Sequence, residues 1–194
     1  MPVTWQWLES SGTDDRLLIA RVPSPPGRSA QVEISEALTC RLYSAMGVEI
    51  NGSDLGRTIY GKPQLRYRNH ENLHHNISNT GCITIGVITT GRSIGVDIEA
   101  RDRCFHVRPE LLMRKLFRTE EEGISCLEYG CLIDVWIAKE AVLKASGFGL
   151  SIGMQEVALA ANFKSATLNG WSFDLKNICF ENYRITVAKQ IQVV

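Results

Sequence analysis

Hydrophobic and polar residues alternate strictly in one short segment near the middle of the chain. In SIGVDIEA, residues 93–100, three aliphatic residues alternate with Gly95, Asp97 and Glu99. Successive side chains of a strand point to opposite faces, so this pattern predicts a strand with one apolar face. The two carboxylates then lie side by side on the other face.

Apolar residues recur at helical spacing in three other segments. These are SAQVEISEALTCRLYSAMG at 29–47, RPELLMRKLF at 108–117 and IDVWIAKEAVLKASGFG at 133–149. Gly47 and Gly147 are predicted to end the first and last helices, because glycine adopts the positive φ of a helix terminus. Thr119 and Glu122 have the spacing of a capping box.

The remaining periodic segments predict strands. CITIGVITT, residues 82–90, is rich in β-branched residues, and the turn after it suggests a hairpin with residues 93–100. SFDL, ICFENYRITVA and IQVV predict strands near the C-terminus. Residues 58–82, rich in Gly, Asn and Pro, predict loops joining short strands.

Composition excludes several classes of function. The chain has 194 residues, with 21 basic and 21 acidic side chains, so no overall charge attracts nucleic acid or an anionic membrane. Its 6 cysteines form no C-x-x-C pair, so neither a disulfide framework nor a zinc site is expected. We find no signal-peptide pattern and no membrane-spanning apolar run, and expect a cytoplasmic protein.

Asp97 and Glu99 are close enough to repel each other unless a cation lies between them or one keeps its proton. Magnesium binds one or two carboxylates together with phosphate oxygens of a substrate. The alternative is a solvent-facing strand whose acids form ordinary ion pairs with Arg92, Arg101 or Arg103. The segment alone favours the second interpretation, and the first stays open.

The longest helix adds further charged groups. Trp136, Glu140 and Lys144 share one helical stripe, with Lys139 beside it. A Glu140–Lys144 pair is also a common surface ion pair that stabilises a helix only slightly. Placed near Asp97 and Glu99, these groups would suit a metal-bound polyphosphate, with acids for the cation and lysines for the anion.

Two polar segments supply donors for phosphate oxygens. YGKP places Lys62 in a turn, and HNISNTG carries four short polar side chains, Asn76, Ser78, Asn79 and Thr80. Each segment alone is more typical of a turn whose polar side chains cap its own backbone. The four histidines lack ligand spacing and are interpreted as loop residues.

The motifs GKP, HNISNTG, IGVDIE, LFRTEEE and WIAKEAVLKASGFGL, in this order, resemble the 4′-phosphopantetheinyl transferase superfamily. The resemblance covers residues 28–150, and the pairing of GVDIE with W-x-x-KE-x-x-x-K is its most specific part. The chain length and the half that precedes GVDIE resemble the monomeric surfactin-synthetase-activator (Sfp-like) type, including its shorter AcpT-like members.

This resemblance implies an α+β fold of two similar α/β halves in a pseudo-twofold arrangement, with the active site between them. We expect an N-terminal half at residues 1–91, a C-terminal half with the metal-binding acids at residues 92–194, and a monomer.

The resemblance also implies roles for individual residues. Asp97, Glu99 and Glu140 match the metal ligands, and Glu140 matches the favoured catalytic base. Lys144 matches the catalytic lysine on the coenzyme A pyrophosphate. The remaining matches are contacts to the coenzyme A phosphates and nucleotide, namely Arg28, Lys62, Ser78, Asn79, Thr80 and Lys139.

The implied reaction transfers 4′-phosphopantetheine from coenzyme A to a serine of an apo acyl, peptidyl or aryl carrier protein and releases 3′,5′-ADP. Mg²⁺, for which Mn²⁺ is a possible substitute, is the implied cofactor, and coenzyme A is the co-substrate. Residues 113–118 are candidates for receiving the carrier, although they equally fit a helix with a buried apolar side. Neither a nucleic acid nor a membrane is an expected partner.

One position departs from the family pattern. Asn79 stands where the family has a histidine that helps to hold the 3′-phosphate, which predicts weaker nucleotide binding or compensation by Arg28 or His75. Two other functions stay open. A degenerate homologue would bind coenzyme A or a carrier without turnover, and a magnesium-dependent phosphohydrolase would use a metal-bound water.

Overall fold

The protein is a mixed α+β structure, as the sequence predicts. The computed structural model describes residues 2–8, 14–57, 63–66, 72–105, 107–119, 122–123 and 132–191. Its strands and α-helices are β1 Thr4–Leu8, β2 Arg16–Arg21, α1 Arg28–Ser44, β3 Leu55–Arg57, β4 Pro63–Leu65, β5 Leu73–Thr80, β6 Ile83–Thr90, β7 Ile94–Ala100, α2 Pro109–Leu116, α3 Leu132–Ser146, β8 Ala158–Leu159, β9 Ser165–Leu168, β10 Trp171–Phe180 and β11 Tyr183–Gln190.

Two antiparallel sheets divide the strands by their order along the chain. The first sheet has the order β1-β2-β6-β5 and the second has the order β7-β11-β10-β9-β8, while β3 pairs with β4 separately. Helix α1 packs on the first sheet, and α3 packs on β7 and β11 of the second. Each sheet therefore has one helix on one of its faces.

The predicted hairpin between residues 82–90 and 93–100 is wrong. β6 is a central strand that pairs with β2 and β5, whereas β7 pairs with β11 of the other sheet. The apolar stripes of β6 and β7 belong to one core, which includes Ile85 and Val87 from the first sheet and Val96 and Ile98 from the second. Facing sheets bury these stripes against each other, which a shared hairpin surface would not do.

The alternation in residues 93–100 has the predicted result, because Gly95, Asp97 and Glu99 all face α3. A Cβ at Gly95 would lie 2.2 Å from the carbonyl oxygen of Ala141 and 2.4 Å from the backbone nitrogen of Ala145. Only a residue without a side chain allows a strand and a helix to approach this closely. The approach brings Asp97 against Lys144 of α3.

The predicted helix ends are also found. Gly47 (φ 76°) and Gly147 (φ 81°) follow the last turns of α1 and α3 in the positive-φ conformation that favours glycine. The capping box forms in part: the Glu122 backbone nitrogen donates to Thr119 Oγ1 over 3.2 Å, but the Glu122 carboxylate accepts from the backbone nitrogen of Arg118. No described helix is both long and apolar enough to cross a membrane.

Candidate active site

The two sheets meet where their edge strands β5 and β7 run beside each other. Side chains of β5 join the strands here. Asn76 Oδ1 accepts from the Val96 backbone nitrogen over 3.1 Å, Ser78 Oγ donates to Asp97 Oδ1 over 2.6 Å, and Thr80 Oγ1 donates to Glu99 Oε2 over 2.9 Å. We call this contact the strand junction. It fixes both acids between the sheets.

Asp97 is only 5% exposed and pairs with a lysine of α3. Lys144 Nζ lies 2.7 Å from Asp97 Oδ1 and also donates to Ser78 Oγ over 2.9 Å and to the Val96 carbonyl oxygen over 3.2 Å. The other carboxylate oxygen, Asp97 Oδ2, is buried without a hydrogen-bond partner among the described residues. A buried anionic oxygen is costly to leave unpaired, which makes it a ready ligand for a cation.

Glu99 has a cationic partner of its own. Its Oε1 pairs with Arg103, one of the ion pairs that the sequence left open as an alternative. The Arg103 guanidinium also stacks on two rings, 5.1 Å from the centroid of Phe105 and 5.0 Å from that of Trp136. The two rings contact each other at 5.2 Å. Glu99 is thus held by hydrogen bonding on one oxygen and by an ion pair on the other.

Glu140 lies one helical turn before Lys144 and is half-buried. Burial raises the pKa of its carboxyl group, and the negative charge of Asp97 raises it further. The cations Lys144, Lys115 and Arg103 partly oppose this rise in pKa. The charge of Asp97 therefore acts on the Glu140 carboxyl group, and the predicted shared metal site of these acids stays a prediction.

The donor chemistry of this group fits a hard divalent cation. Asp97, Glu99 and Glu140 supply carboxylate oxygens, which such ions prefer, and Asp97 Oδ2 is buried and unpartnered. Glu99 is less ready, because both of its oxygens already have partners. Within the described ranges, no three acidic, histidine or cysteine side chains already form a metal-binding cluster.

Lys139 does not join this group, in contrast to its predicted contact with phosphate. Its side chain is fully buried, and Nζ lies 2.5 Å from the Leu116 carbonyl oxygen, 3.4 Å from Glu122 Oε1 and 4.9 Å from the Phe117 ring centroid. Neighbouring residues of a helix point about 100° apart, so Lys139 faces α2 while Glu140 faces β7. We correct its role to anchoring the end of α2 on α3.

This correction makes a testable prediction for Lys139→Met. The variant should lose about 1–3 kcal/mol of unfolding free energy, because Glu122 loses a partner and the α2 carbonyl loses a donor. Its dissociation constant for coenzyme A should stay within about twofold of the wild-type value, since no phosphate contact is lost. Urea unfolding and calorimetric titration measure the two quantities, with Lys164→Met as a control at an exposed lysine. A coenzyme A affinity lowered tenfold in the folded variant would restore the phosphate role.

The predicted phosphate contacts on β5 lie on two opposite faces of the strand. Ser78 and Thr80 lie in the strand junction, but Asn79 between them is exposed on the opposite face. There it lines a cleft of about 460 Å³ together with residues of α1 and β3, including Gln31 and Leu55. Because successive side chains of a strand point to opposite faces, Asn79 points away from the acids that Ser78 and Thr80 contact.

The remaining predicted residues lie elsewhere. Arg28 is the exposed first residue of α1. His75 is 3% exposed, and its Nδ1 lies 3.0 Å from the Tyr43 hydroxyl oxygen, which removes it as a surface replacement for the histidine missing at position 79. Lys62 lies outside the described residues.

Sequence reasoning missed the aromatic support around Arg103. Phe105 follows Arg103 by two residues, while Trp136 comes from α3, and Lys115 Nζ of α2 lies 4.7 Å from the centroid of the Trp136 ring. The only sequence signal was Arg103 itself, four residues after Glu99. Contacts between three distant segments have no local pattern that would reveal them.

Comparisons with known proteins give one family. Residues 93–188 match a family profile described as ACPS: 4′-phosphopantetheinyl transferase superfamily. This range begins just before β7 and includes α2, α3 and most of β11. A search of curated proteins finds no significant match to the chain.

Proposed function

Residues 93–188 are a domain of the 4′-phosphopantetheinyl transferase superfamily, and from this premise we propose that the protein transfers 4′-phosphopantetheine from coenzyme A to a carrier-protein serine. The family implies phosphopantetheinyl transfer in general. The acceptor that we propose is an apo acyl, peptidyl or aryl carrier protein, and the leaving product is 3′,5′-ADP.

One observation carries the proposal. Lys144 of α3 pairs with the buried Asp97 of β7, and Glu140 lies one turn earlier on the same helix. An acid pair beside a lysine suits a reaction in which a metal-bound pyrophosphate is attacked by a hydroxyl group. Phosphoryl transfer depends mainly on positioning and charge stabilisation, so no nucleophilic side chain of the protein is needed.

In the proposed mechanism, Glu140 accepts the proton of the carrier serine hydroxyl as its oxygen forms a bond to the phosphorus bearing pantetheine. The bond from that phosphorus to the 3′,5′-ADP oxygen breaks, and Lys144 stabilises the charge on the leaving group. Ser78 and Thr80 hold Asp97 and Glu99 in place through the strand junction. A Mg²⁺ ion held by Asp97, Glu99 and Glu140 would neutralise charge on the pyrophosphate.

The exposed side of α2 is the surface that we propose for the carrier. Leu111 is 53% exposed and lies beside the exposed cations Arg114 and Lys115. Basic and apolar side chains together suit an acidic helix, as carrier proteins present after their modified serine. Leu116 and Phe117, considered from the sequence, are buried in the core and are excluded from this surface.

The proposal is tested by weighing carriers after reaction. Apo carrier proteins incubated with the protein, Mg²⁺ and coenzyme A should gain about 340 Da, the mass of phosphopantetheine, on one serine. Intact-protein mass spectrometry measures the gain, and peptide fragmentation locates it.

Two controls separate this reaction from the alternatives. A carrier with its acceptor serine replaced by alanine should gain no mass, and excess EDTA should abolish the gain. Phosphate ester cleavage without any carrier would indicate a phosphohydrolase. Binding of coenzyme A without mass gain on any class of carrier would contradict transfer and favour a degenerate homologue.

A further inference from the structure

Each acid of the strand junction is neutralised by a cation of the chain itself. Asp97 receives a hydroxyl from Ser78 and an ammonium from Lys144, whereas Glu99 receives a hydroxyl from Thr80 and a guanidinium from Arg103. The two arrangements differ in one respect. Lys144 occupies only Oδ1 of Asp97 and leaves Oδ2 without a partner among the described residues, but Glu99 has partners on both oxygens.

The Arg103 guanidinium contacts two aromatic rings, those of Phe105 and Trp136. Its guanidinium lies 5.1 Å from the Phe105 centroid and 5.0 Å from the Trp136 centroid, and about a third of its side chain is exposed. Aromatic faces attract guanidinium groups, so this support does not depend on Glu99. Arg103 can leave the carboxylate and still keep two favourable contacts.

We propose that Arg103 is an internal competitor of the divalent cation: it holds Glu99 in the ligand-free protein and must release it before the metal can bind. This inference rests on the proposed function, since it takes Glu99 as a metal ligand. A divalent cation and a guanidinium repel each other when both approach Glu99 Oε1, so the free energy of the Arg103–Glu99 pair is subtracted from that of metal binding. Phe105 and Trp136 hold the displaced side chain beside the site and reduce the cost of release.

Replacing Arg103 by a neutral residue should therefore raise the metal affinity of the protein. Removing an ordinary metal-site residue weakens metal binding, but removing a competitor strengthens it. An ion pair at a partly exposed site is worth up to about 1 kcal/mol, so the gain should be up to about fivefold in affinity. The direction of the change distinguishes a competitor from a residue that merely supports the fold.

The experiment measures Mn²⁺ binding to the full chain without coenzyme A or carrier. Electron paramagnetic resonance of free Mn²⁺ gives the dissociation constant directly and needs no turnover. Arg103→Met removes the charge but keeps an apolar side chain against the rings. The Mn²⁺ dissociation constant of this variant should fall about threefold to fivefold. Arg103→Gln serves as a second neutral variant if the methionine variant fails to fold.

Lys115→Met is the matched control. Lys115 Nζ lies 4.7 Å from the centroid of the Trp136 ring, which Arg103 also contacts, and its charge also acts on Glu140. Unlike Arg103, Lys115 has no ion pair with Glu99 among the described residues. The Lys115 variant therefore removes only the long-range effect of a nearby positive charge on the metal site. Salt screens this effect, so the Mn²⁺ affinity should change less than about twofold. Equal changes in the Arg103 and Lys115 variants would overturn the proposal.

The remaining outcomes are also decisive. Unchanged or weaker Mn²⁺ binding in both folded Arg103 variants overturns the inference and leaves the proposed transfer activity standing if carriers still gain mass. Tighter binding in these variants, with no carrier modified by the wild-type protein, supports the competitor role and overturns the transfer. Absence of Mn²⁺ binding in all variants overturns the competitor role, while the mass gain of carriers still decides the proposed transfer.

Discussion

Glu140→Gln is expected to lower kcat of carrier modification by about 10²- to 10⁴-fold, the usual contribution of a general base. The amide keeps the shape of the side chain but cannot accept the serine proton, and it contributes no charge to a cation. Initial rates followed by mass spectrometry of the carrier measure this loss. Glu33→Gln, at an exposed glutamate of α1 away from the proposed carrier surface, is the matched control.

The same variant should not lose stability. Burial and the charge of Asp97 raise the pKa of Glu140 in the folded protein, so its ionised form is disfavoured there relative to the unfolded chain. The resulting stability is present below the unfolded pKa and is lost as the pH rises through the folded pKa. At neutral pH the amide should therefore melt at or above the wild-type temperature. If Glu140→Gln retains more than a tenth of the wild-type kcat, Glu140 is not the catalytic base.

Gly95→Ala should destabilise the protein by about 3 kcal/mol or more, at the upper end of overpacking effects. Its new methyl group would meet backbone atoms of Ala141 and Ala145, which cannot rotate away, so α3 must move off β7. That movement also shifts Glu140 and Lys144 relative to Asp97. Displacing reacting groups by 1 Å costs about 10²-fold in rate, so kcat/KM of the folded fraction should fall by a similar factor.

Gly86→Ala is the comparison for this prediction. A Cβ at Gly86 would lie 2.0 Å from Leu38 Cδ2 and 2.7 Å from Leu42 Cδ1, which are ends of side chains on the far side of the first sheet. It should lose stability without losing activity per folded molecule. Urea unfolding and rates below the melting transition measure both. A Gly95→Ala enzyme with wild-type kcat/KM would show that the contact between β7 and α3 does not set the site geometry.

Local patterns in the sequence predicted those parts of the structure that depend on periodicity. The alternation of residues 93–100 and the helical repeats of α1, α2 and α3 each follow from burying one face of an element. The β6–β7 hairpin failed because two adjacent β-rich segments do not reveal whether they are neighbours in one sheet or face each other across a core. That choice depends on β2 and β11, which are distant in the chain.

The site shows the same division. Helical spacing puts Glu140 one turn before Lys144, and Lys144 is found paired with Asp97. The role of Glu140 itself stays a prediction. Lys139 and Asn79 were assigned by motif without regard to the direction of the side chain, although each is adjacent to a residue that does point into the site. The pairing of Asp97 with Lys144 depends on how close α3 approaches β7, which Gly95 controls.

The core between the sheets has a consequence for dissecting the protein. The faces of β7 and β11 that carry Ile98 and Val187 are covered by β2 and β6, all of which precede residue 91. A fragment restricted to residues 93–188 would expose this apolar surface to water, and the fragment would then self-associate or aggregate. Recombinant production must therefore retain the preceding half of the chain, even though the family match does not extend to it.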